Sequence, residues 1–473
     1  MTVERINHWA GVQPDKPALI HNDRPLTYSQ LTGAIGAAHA HLADQDLAAG
    51  STAIVLAQDL ANAWLLVMAA RSLGLTTVAV TSLGGIDGLR VRDVTCVLTA
   101  DSERSLASGP TPLGARPIVV PLGALGDGAT APDGRWGDHI LYTSGTTGGY
   151  KKVLVEGGLE ARRNQARAEL SHFTPQSVFH ALDFGLWTGI GFKTPSAAWH
   201  AGGCVIIDQT DRRFSNFFKH GVTYCQTLPE TLRALVAAHP DREASDGLLL
   251  RVGGGFTPLA LAEQAVRHLS KRLVIGFSAT ELTAQVMASE FRTVDDLNWM
   301  KPNPGRVVQV VDEEGSVAAP GVEGVLRIQL NELDNRSYLD DPATTAQVFR
   351  GGFFYSGDLA VAREDGRVRI LGRAADVINI KGQKRAVGPM EETLQQGLGV
   401  DEVCVFSGLA DDGIEELVVA VRSAKPLDKA DVERRLGGSV IFDKVRVELF
   451  DDFPRTANGK TRRLELRRMV FPR

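Results

Sequence analysis

The stretch LYTSGTTGGYKK, residues 141–152, sets four Ser/Thr hydroxyls, three glycines and two lysines close together. Glycines let a backbone turn its N–H groups inward, and such concave nests bind anions. Ser144, Thr146 and Thr147 add hydroxyl donors, Gly145 and Gly148 add freedom to bend, and Lys151 adds a full positive charge. The ligand that suits this mixture is a polyphosphate. The loop is nevertheless not GxxxxGK[ST]: counted from Gly145, Tyr150 stands where the second glycine should be. A Gly/Thr-rich surface turn is the competing reading of the same composition.

A loop of this kind needs a frame. Apolar runs of strand length alternate with longer stretches of helical spacing, as in STAIVLAQ, LANAWLLVMAARSLG and TTVAVTS, and again around GGCVIID and RLVIGFS. That alternation predicts an α/β class in which parallel strands are covered by helices. From about Val307 the texture shifts to short strands with turn residues, among them Asp365-Gly366, a hairpin signal. At 473 residues more than one core is expected. The expected organisation is a large N-terminal α/β body of several subdomains with a β-rich portion over 1–372 and a small C-terminal α+β domain over 373–473.

The loop has company. TSGTTG…K resembles the phosphate loop of the adenylate-forming, AMP-binding enzymes, the superfamily of acyl-CoA synthetases, adenylation domains and luciferases. Five further stretches resemble that family's motifs in its order: LTYSQL at 26–31, GFSATEL at 276–282, SYLDDPATTAQVFRGGFFYSGDLA at 337–360, LGRAADVINIKGQKRAVGPMEETL at 371–394 and PRTANGKTRR at 454–463. The resemblance implies that 1–372 holds the ATP- and acid-binding functions, that the C-terminal domain 373–473 is mobile, and that the reaction runs in two halves. A carboxylate attacks the α-phosphate of ATP to give an acyl adenylate and pyrophosphate, and a thiol then takes the acyl group as AMP leaves. It also implies roles. Ser144, Thr146 and Thr147, with backbone N–H groups from Thr143 to Gly148 and with Lys151, would hold the outer phosphates. Glu281 would ligate Mg²⁺, Thr280 would donate to the α-phosphate, and Phe277 would stack on adenine. Asp358 and Arg373 would hold the ribose, and Ser278 and Ile370 complete the ATP-binding set. Lys460 would neutralise charge developing on the α-phosphate. Taken singly, Asp358 beside Gly357 can cap a turn, Glu281 can sit in a helix first turn, and Lys460 can be a solvated turn lysine.

Departures from the family pattern matter too. Gly149-Tyr150 replaces the usual x-Pro of the phosphate loop, which removes a φ constraint. At the hinge between half-reactions Ala375 takes the place of an Asp, and Asp376 follows it. The amino-group anchor of members that select α-amino acids is absent, because Gly189 occupies its position. By resemblance to aryl-acid-activating members, Trp187, Gly191, Phe192, Gly254, Gly255 and Phe256 would line a pocket for a small aromatic or compact apolar carboxylic acid. Lys381, Lys384 and Arg385 could meet the phosphates of coenzyme A or the acidic helix of an acyl or peptidyl carrier protein. Transfer to an amine stays open, as does a non-catalytic nucleotide-binding relative, the latter suggested by Tyr150 and Ala375.

Composition excludes other classes. A net charge of −5 lacks the basic footprint of a nucleic-acid binder. Cys96, Cys204, Cys225 and Cys404 are scattered with no CxxC pair, which predicts buried free thiols rather than a zinc site or disulfides. The opening MTVERINHWAGVQPDKPALI has no long apolar core, so it does not read as a signal peptide. The most apolar stretch, NAWLLVMAARSLGLTTVAV, is broken by Arg71 and Gly74 and reads as a buried helix and strand rather than a membrane span. The location these features imply is cytoplasmic.

Overall fold

Side-chain caps start two successive helices near the N-terminal end of the fold. Thr27 Oγ1 accepts from the Gln30 N–H at 3.2 Å while the Gln30 side chain accepts from the Thr27 N–H at 2.9 Å, a reciprocal box that starts the helix Tyr28–Ala43. Asp59 Oδ1 accepts from the Ala61 and Asn62 N–H groups at 2.9 and 3.0 Å and starts the helix Leu60–Ser72. That helix is buried on every side, as one apolar all round must be. The computed structural model describes residues 2–471 apart from 85, 109–110, 123–135, 145–149, 183, 313, 375–376, 381–382, 410–414, 424–426, 428, 437–444 and 456–460, with the backbone alone at 87, 113, 144, 377, 379–380, 383–386, 409, 415, 429, 433 and 436.

Among the described residues the apolar runs build two large sheets. The first has the order Arg116–Val120, Val94–Ala100, Thr52–Leu56, Thr76–Val80, His139–Ser144, Tyr150–Val155. It is parallel except for the final hairpin pair. The second has the order Lys301–Pro302, Met287–Glu290, Ser270–Phe277, Ser245–Gly253, Tyr224–Thr227, Val178–His180, Cys204–Ile207, Pro17–His21, Arg24–Thr27. It is parallel in its centre and antiparallel at both edges.

Alternation along the strands divides the packing. Ala53 and Val55 of the first sheet and Val205 and Ile207 of the second share one core with the helices Thr2–Val12, Tyr28–Ala43, Leu60–Ser72, Glu160–Ser171 and Gly189–His200. The intervening Ile54 and Leu56 face a separate cluster with Ile86 and Leu89. On the second sheet Leu250 and Val252 face away from the shared layer, toward Leu232 and Leu261 of the outer helices Pro229–Ala238 and Leu259–His268. Successive side chains of a strand point to opposite faces, so Leu249 and Arg251 face the shared helical layer. That parity matters below.

The β-rich portion is an antiparallel sheet containing Val308–Val311, Glu323–Gln329, Phe353–Ala362 and Val368–Arg373, and Gly366, at φ +78°, turns its last hairpin. Beyond it, Glu402–Leu409, Glu415–Arg422 and Val445–Phe450 form a sheet with its own core, in which Val405, Val419 and Val447 meet Leu394 and Val432. The fold is thus the mixed α/β class, a large N-terminal body followed by a small C-terminal part. Cys96, Cys204, Cys225 and Cys404 are buried thiols outside any disulfide. Among the described residues no helix is long and apolar enough to cross a membrane.

One buried ion pair stitches the shared layer together. Glu160, fully buried, accepts from Arg71 and from the Thr2 hydroxyl, joining three helices. Burial works to raise its pKa, but the adjacent Arg71 charge and the hydrogen bonds from Arg71 and Thr2 outweigh it and hold the carboxyl at about 2. A folded-state pKa below the unfolded one adds stability that is present above the unfolded pKa and is lost as pH falls. Comparing wild type with Glu160→Gln by urea unfolding should show a gap of about 3 kcal/mol at neutral pH that closes as pH drops from 4.5 toward 2. A pH-independent gap would mean that the charge of Glu160 is not what stabilises this layer.

Candidate active site

The flanks of the glycine loop are a hairpin in which Thr143 faces Lys151 and Ser144 faces Tyr150. Gly145, Thr146, Thr147 and Gly148 lie outside the described residues, and Ser144 is described in its backbone alone. Lys151 Nζ stands 5.2 Å over the ring of Tyr338. The hydroxyl of Tyr338 donates to Glu281 Oε1 at 2.5 Å. Tyr338 therefore ties the loop's lysine to the acidic residue of GFSATEL, two stretches far apart in sequence. Burial first, and then the Glu281 charge, push the phenol's pKa up, so it stays a donor. Glu281 is only 7% exposed, a carboxylate held ready and shielded from bulk water.

Phe277 ends the strand Ser270–Phe277, and Ser278 and Thr280 follow in the turn beyond it. Asp358 and Arg373 are register partners on neighbouring strands, with Arg373 Nε 3.2 Å from Asp358 Oδ1 and Arg373 Nη1 donating to the Ser356 carbonyl at 2.6 Å. Ile370 lies on the same strand as Arg373, partly buried against the core. Ala375, Asp376, Lys381 and Lys460 lie outside the described residues, and Lys384 and Arg385 are described in backbone alone.

A cavity of about 200 Å³ opens beside this cluster, walled by Ser278 and Thr280 and continuing between the helices Glu160–Ser171 and Gly189–His200 and the strands of the second sheet. Of the residues expected in an acid pocket, Gly254 is on its wall. Phe192 is not. At 1% exposure it stacks on His139, ring centroids 4.2 Å apart, and on Trp64 at 5.1 Å. The reason is helical period. Gly189, Ile190, Lys193, Thr194 and Ala197 repeat at three- and four-residue spacing and take the cavity face, which turns Phe192 to the opposite side. Gly191 also packs away, where a Cβ would come within 2.2 Å of the Gly185 carbonyl oxygen. The Trp187 indole covers Gly185 rather than the cavity. Gly254, at φ +77°, bends the chain out of its strand, so Gly255 lies toward Pro229 and neither Gly255 nor Phe256 reaches the wall.

The sequence reading also missed wall residues. Phe173, Phe184 and Tyr224 supply aromatic surface, and Arg167, Lys193 and Arg251 supply charge. Arg251 had a signal that could have been used: a charge inside LLLRVG interrupts the apolar run of a strand buried on both faces. Lys193 interrupts the apolar GIGFKTPSAAW in the same way.

The acyl-coenzyme A synthetase ACSM3, mitochondrial, of Pongo abelii is 27% identical over 70% of this chain and 60% of its own length, so the chain spans about three-fifths of that relative. Pseudomonine synthase PmsE of Pseudomonas entomophila is 26% identical over 97% of this chain and 81% of its own length. The solved structure of ATP-bound MatB from Rhodopseudomonas palustris superposes with a TM-score of 0.82 at 21% identity, covering 99% of both chains, which is a likeness of fold. Residues 6–331 match the family model described as AMP-binding enzyme, and on that match, over most of its length, the chain belongs to this family.

Proposed function

We propose that the protein is an AMP-forming carboxylate ligase. The observation that carries the reading is the juxtaposition of an acid-sized cavity, reaching Thr280, with the shielded carboxylate of Glu281 and the lysine of the glycine loop. In the first half-reaction a carboxylate oxygen bonds to the α-phosphorus as the bond to pyrophosphate breaks. In the second a thiol sulfur bonds to the acyl carbon as the bond to AMP breaks, with the thiol proton passing to solvent. Charge gathers at phosphorus in the first step, so positioning and electrostatics dominate.

The residues suit a magnesium ion. Among the described residues there is no group of three or more His, Cys, Asp or Glu to cage a metal. Mg²⁺ does not require one, because it is commonly held by one or two carboxylates together with substrate phosphates. Glu281 would be that carboxylate, and the ion's contribution when bound is neutralisation of phosphate charge. Thr280 would orient the α-phosphate, Lys151 and the glycine loop would hold the departing pyrophosphate, and Asp358 with Arg373 would hold the ribose. Phe277 would stack on adenine. Lys460 would neutralise the α-phosphate, and rotation of residues 373–473 about Ala375 and Asp376 would separate the half-reactions.

For the acid we favour a small aromatic or other compact molecule, supported by the cavity's size and its Phe173, Phe184 and Tyr224 walls. For the acceptor we favour coenzyme A, with a carrier-protein thiol or an amine as the rivals. The test is acid-dependent exchange of pyrophosphate into ATP over a panel of aromatic, aliphatic and amino acids, followed by product mass with and without coenzyme A. Exchange with one acid class and a coenzyme A thioester is the expected result. Exchange that yields no thioester would move the acceptor to a carrier protein or amine. ATP binding without exchange for any acid would sink the ligase reading in favour of a non-catalytic relative. Lys460→Ala should lower exchange at least about 100-fold, by analogy with the loss of an oxyanion donor, with ATP binding retained; unchanged exchange would remove Lys460 from the chemistry.

A further inference from the structure

Three cations line the cavity, and none makes a direct ion pair among the described residues. Arg167 donates to the Thr283 carbonyl and to Asn164 Oδ1. Lys193 Nζ donates to the carbonyls of Thr280 and Leu282 at 2.6 and 3.0 Å. Arg251 donates to Gln285 Oε1 at 2.9 Å and to the Leu170 carbonyl at 3.1 Å. No Asp or Glu appears on the described wall. All three are at least nine-tenths buried and hydrogen-bond to neutral acceptors. Glu160, Glu281 and Asp334 attract Arg167 and Lys193 from beyond contact, and a buried charge without a direct ionic partner is costly. Burial first, and then the neighbouring arginine charges, outweigh those carboxylates and pull the Lys193 ammonium well below its ordinary pKa and the Arg167 guanidinium down to about 9.

The cations are ordered along one segment. Lys193 grips it at Thr280 and Leu282, Arg167 at Thr283, and Arg251 at Gln285. The reacting carboxylate belongs at the Thr280 end, so Arg251 marks the distal end. Its surroundings continue the polar character. Arg251 is the register partner of Gln226, whose side-chain oxygen faces the Thr194 hydroxyl at 3.5 Å. Arg251 is 9% exposed, strand alternation turns it toward the helical layer, and its Nε has no hydrogen-bond partner. An unsatisfied donor on a buried cation at the wall of a cavity is a vacancy for an acceptor.

We propose that the cavity takes a carboxylic acid bearing a second anionic group, whose distal charge docks on Arg251 while the reacting carboxylate stays beside Thr280. A dicarboxylate is the simplest such acid, and a sulfonate offers the same chemistry. The second group supplies the charge that the wall lacks, and its hydrogen bonds to a guanidinium are of the strong, charge-assisted kind. The inference rests on the ligase reading and narrows its substrate.

The experiment compares acids matched in skeleton: benzoate against isophthalate, 3-sulfobenzoate and 3-hydroxybenzoate, and butyrate against succinate. Pyrophosphate exchange gives kcat/KM for each, and calorimetry gives binding to the ATP-free protein. A diacid should exceed its monoacid by at least about 10-fold, the range of a hydrogen bond to a charged group. In Arg251→Met that ratio should collapse toward one. Arg251→Lys should keep part of it, and serves if the methionine variant fails to fold. 3-Sulfobenzoate should share the advantage of the diacid, whereas 3-hydroxybenzoate, whose phenol is neutral near pH ~7, should fall short of both. A phenol equal to the diacid would overturn the need for a second charge. Monoacids that equal their diacids in the wild type would overturn the proposal, as would a ratio unchanged by either substitution. Diacid binding lost in Arg251→Met, with no exchange for any acid, would sink the ligase reading and sustain the anion subsite. Absence of both binding and exchange would overturn both.

Discussion

Replacing Glu281 with glutamine should lower acid-dependent pyrophosphate exchange about 100- to 1000-fold, the scale for loss of a preorganised electrostatic contact at a reacting phosphate. Glutamine keeps the shape and retains an oxygen to accept from Tyr338, so the local packing is preserved and the charge alone is removed. The companion measurement is a magnesium titration, in which the half-saturating concentration should rise in the variant. Unchanged rates and unchanged magnesium dependence would exclude Glu281 as the metal-bearing carboxylate. Tyr338→Phe separates position from charge. It leaves the carboxylate in place without its 2.5 Å donor, and the expected loss is about 10- to 100-fold, the cost of removing an outer-shell partner. A Tyr338→Phe loss as large as that of Glu281→Gln would show that the tyrosine does more than orient the carboxylate.

Legibility in the sequence followed the physics of each element. Strands buried on both faces read as uninterrupted apolar runs, so the α/β body was visible in STAIVLAQ and TTVAVTS, which became the strands Thr52–Leu56 and Thr76–Val80. The Thr27–Gln30 box marks its own helix start. Orientation was harder. The helix Gly189–His200 is buried on both sides, against the core through Phe192 and against the cavity through Lys193, so no polar face distinguishes inside from outside. The aromatic was the natural residue to assign to a pocket, and the lysine drew no assignment. Packing turned Phe192 into the core and Lys193 to the cavity. Tyr338 could not be singled out because its role depends on Lys151 and Glu281 arriving from separate layers. A lone charge within an apolar run, as at Arg251 and Lys193, was the local sign of a built polar wall.

Asp334→Ala should cost about 3–5 kcal/mol, the price of leaving a buried charge without its partner. Asp334 has a fully buried side chain and pairs through both oxygens with Arg306, itself 8% exposed, with Nη2 to Oδ1 at 3.0 Å. Burial would raise the carboxyl's pKa, but the Arg306 hydrogen bonds and charge, aided by the Thr283 and Asn331 N–H groups at 2.8 and 3.0 Å, hold it below its ordinary value. The Thr283 contact links stability to function, because it anchors the segment just past Thr280 and Glu281. Urea unfolding of Asp334→Ala and of the double variant Arg306→Met, Asp334→Leu separates the two effects. Removing both charges should recover much of the loss, since a buried pair is often replaceable by apolar groups of similar volume. It should stop short by about 1–3 kcal/mol, because the Thr283 N–H remains without an acceptor. Exchange activity should stay depressed in the double variant even where stability returns. Full recovery of both would show that Asp334 holds the fold but not the segment that carries Glu281.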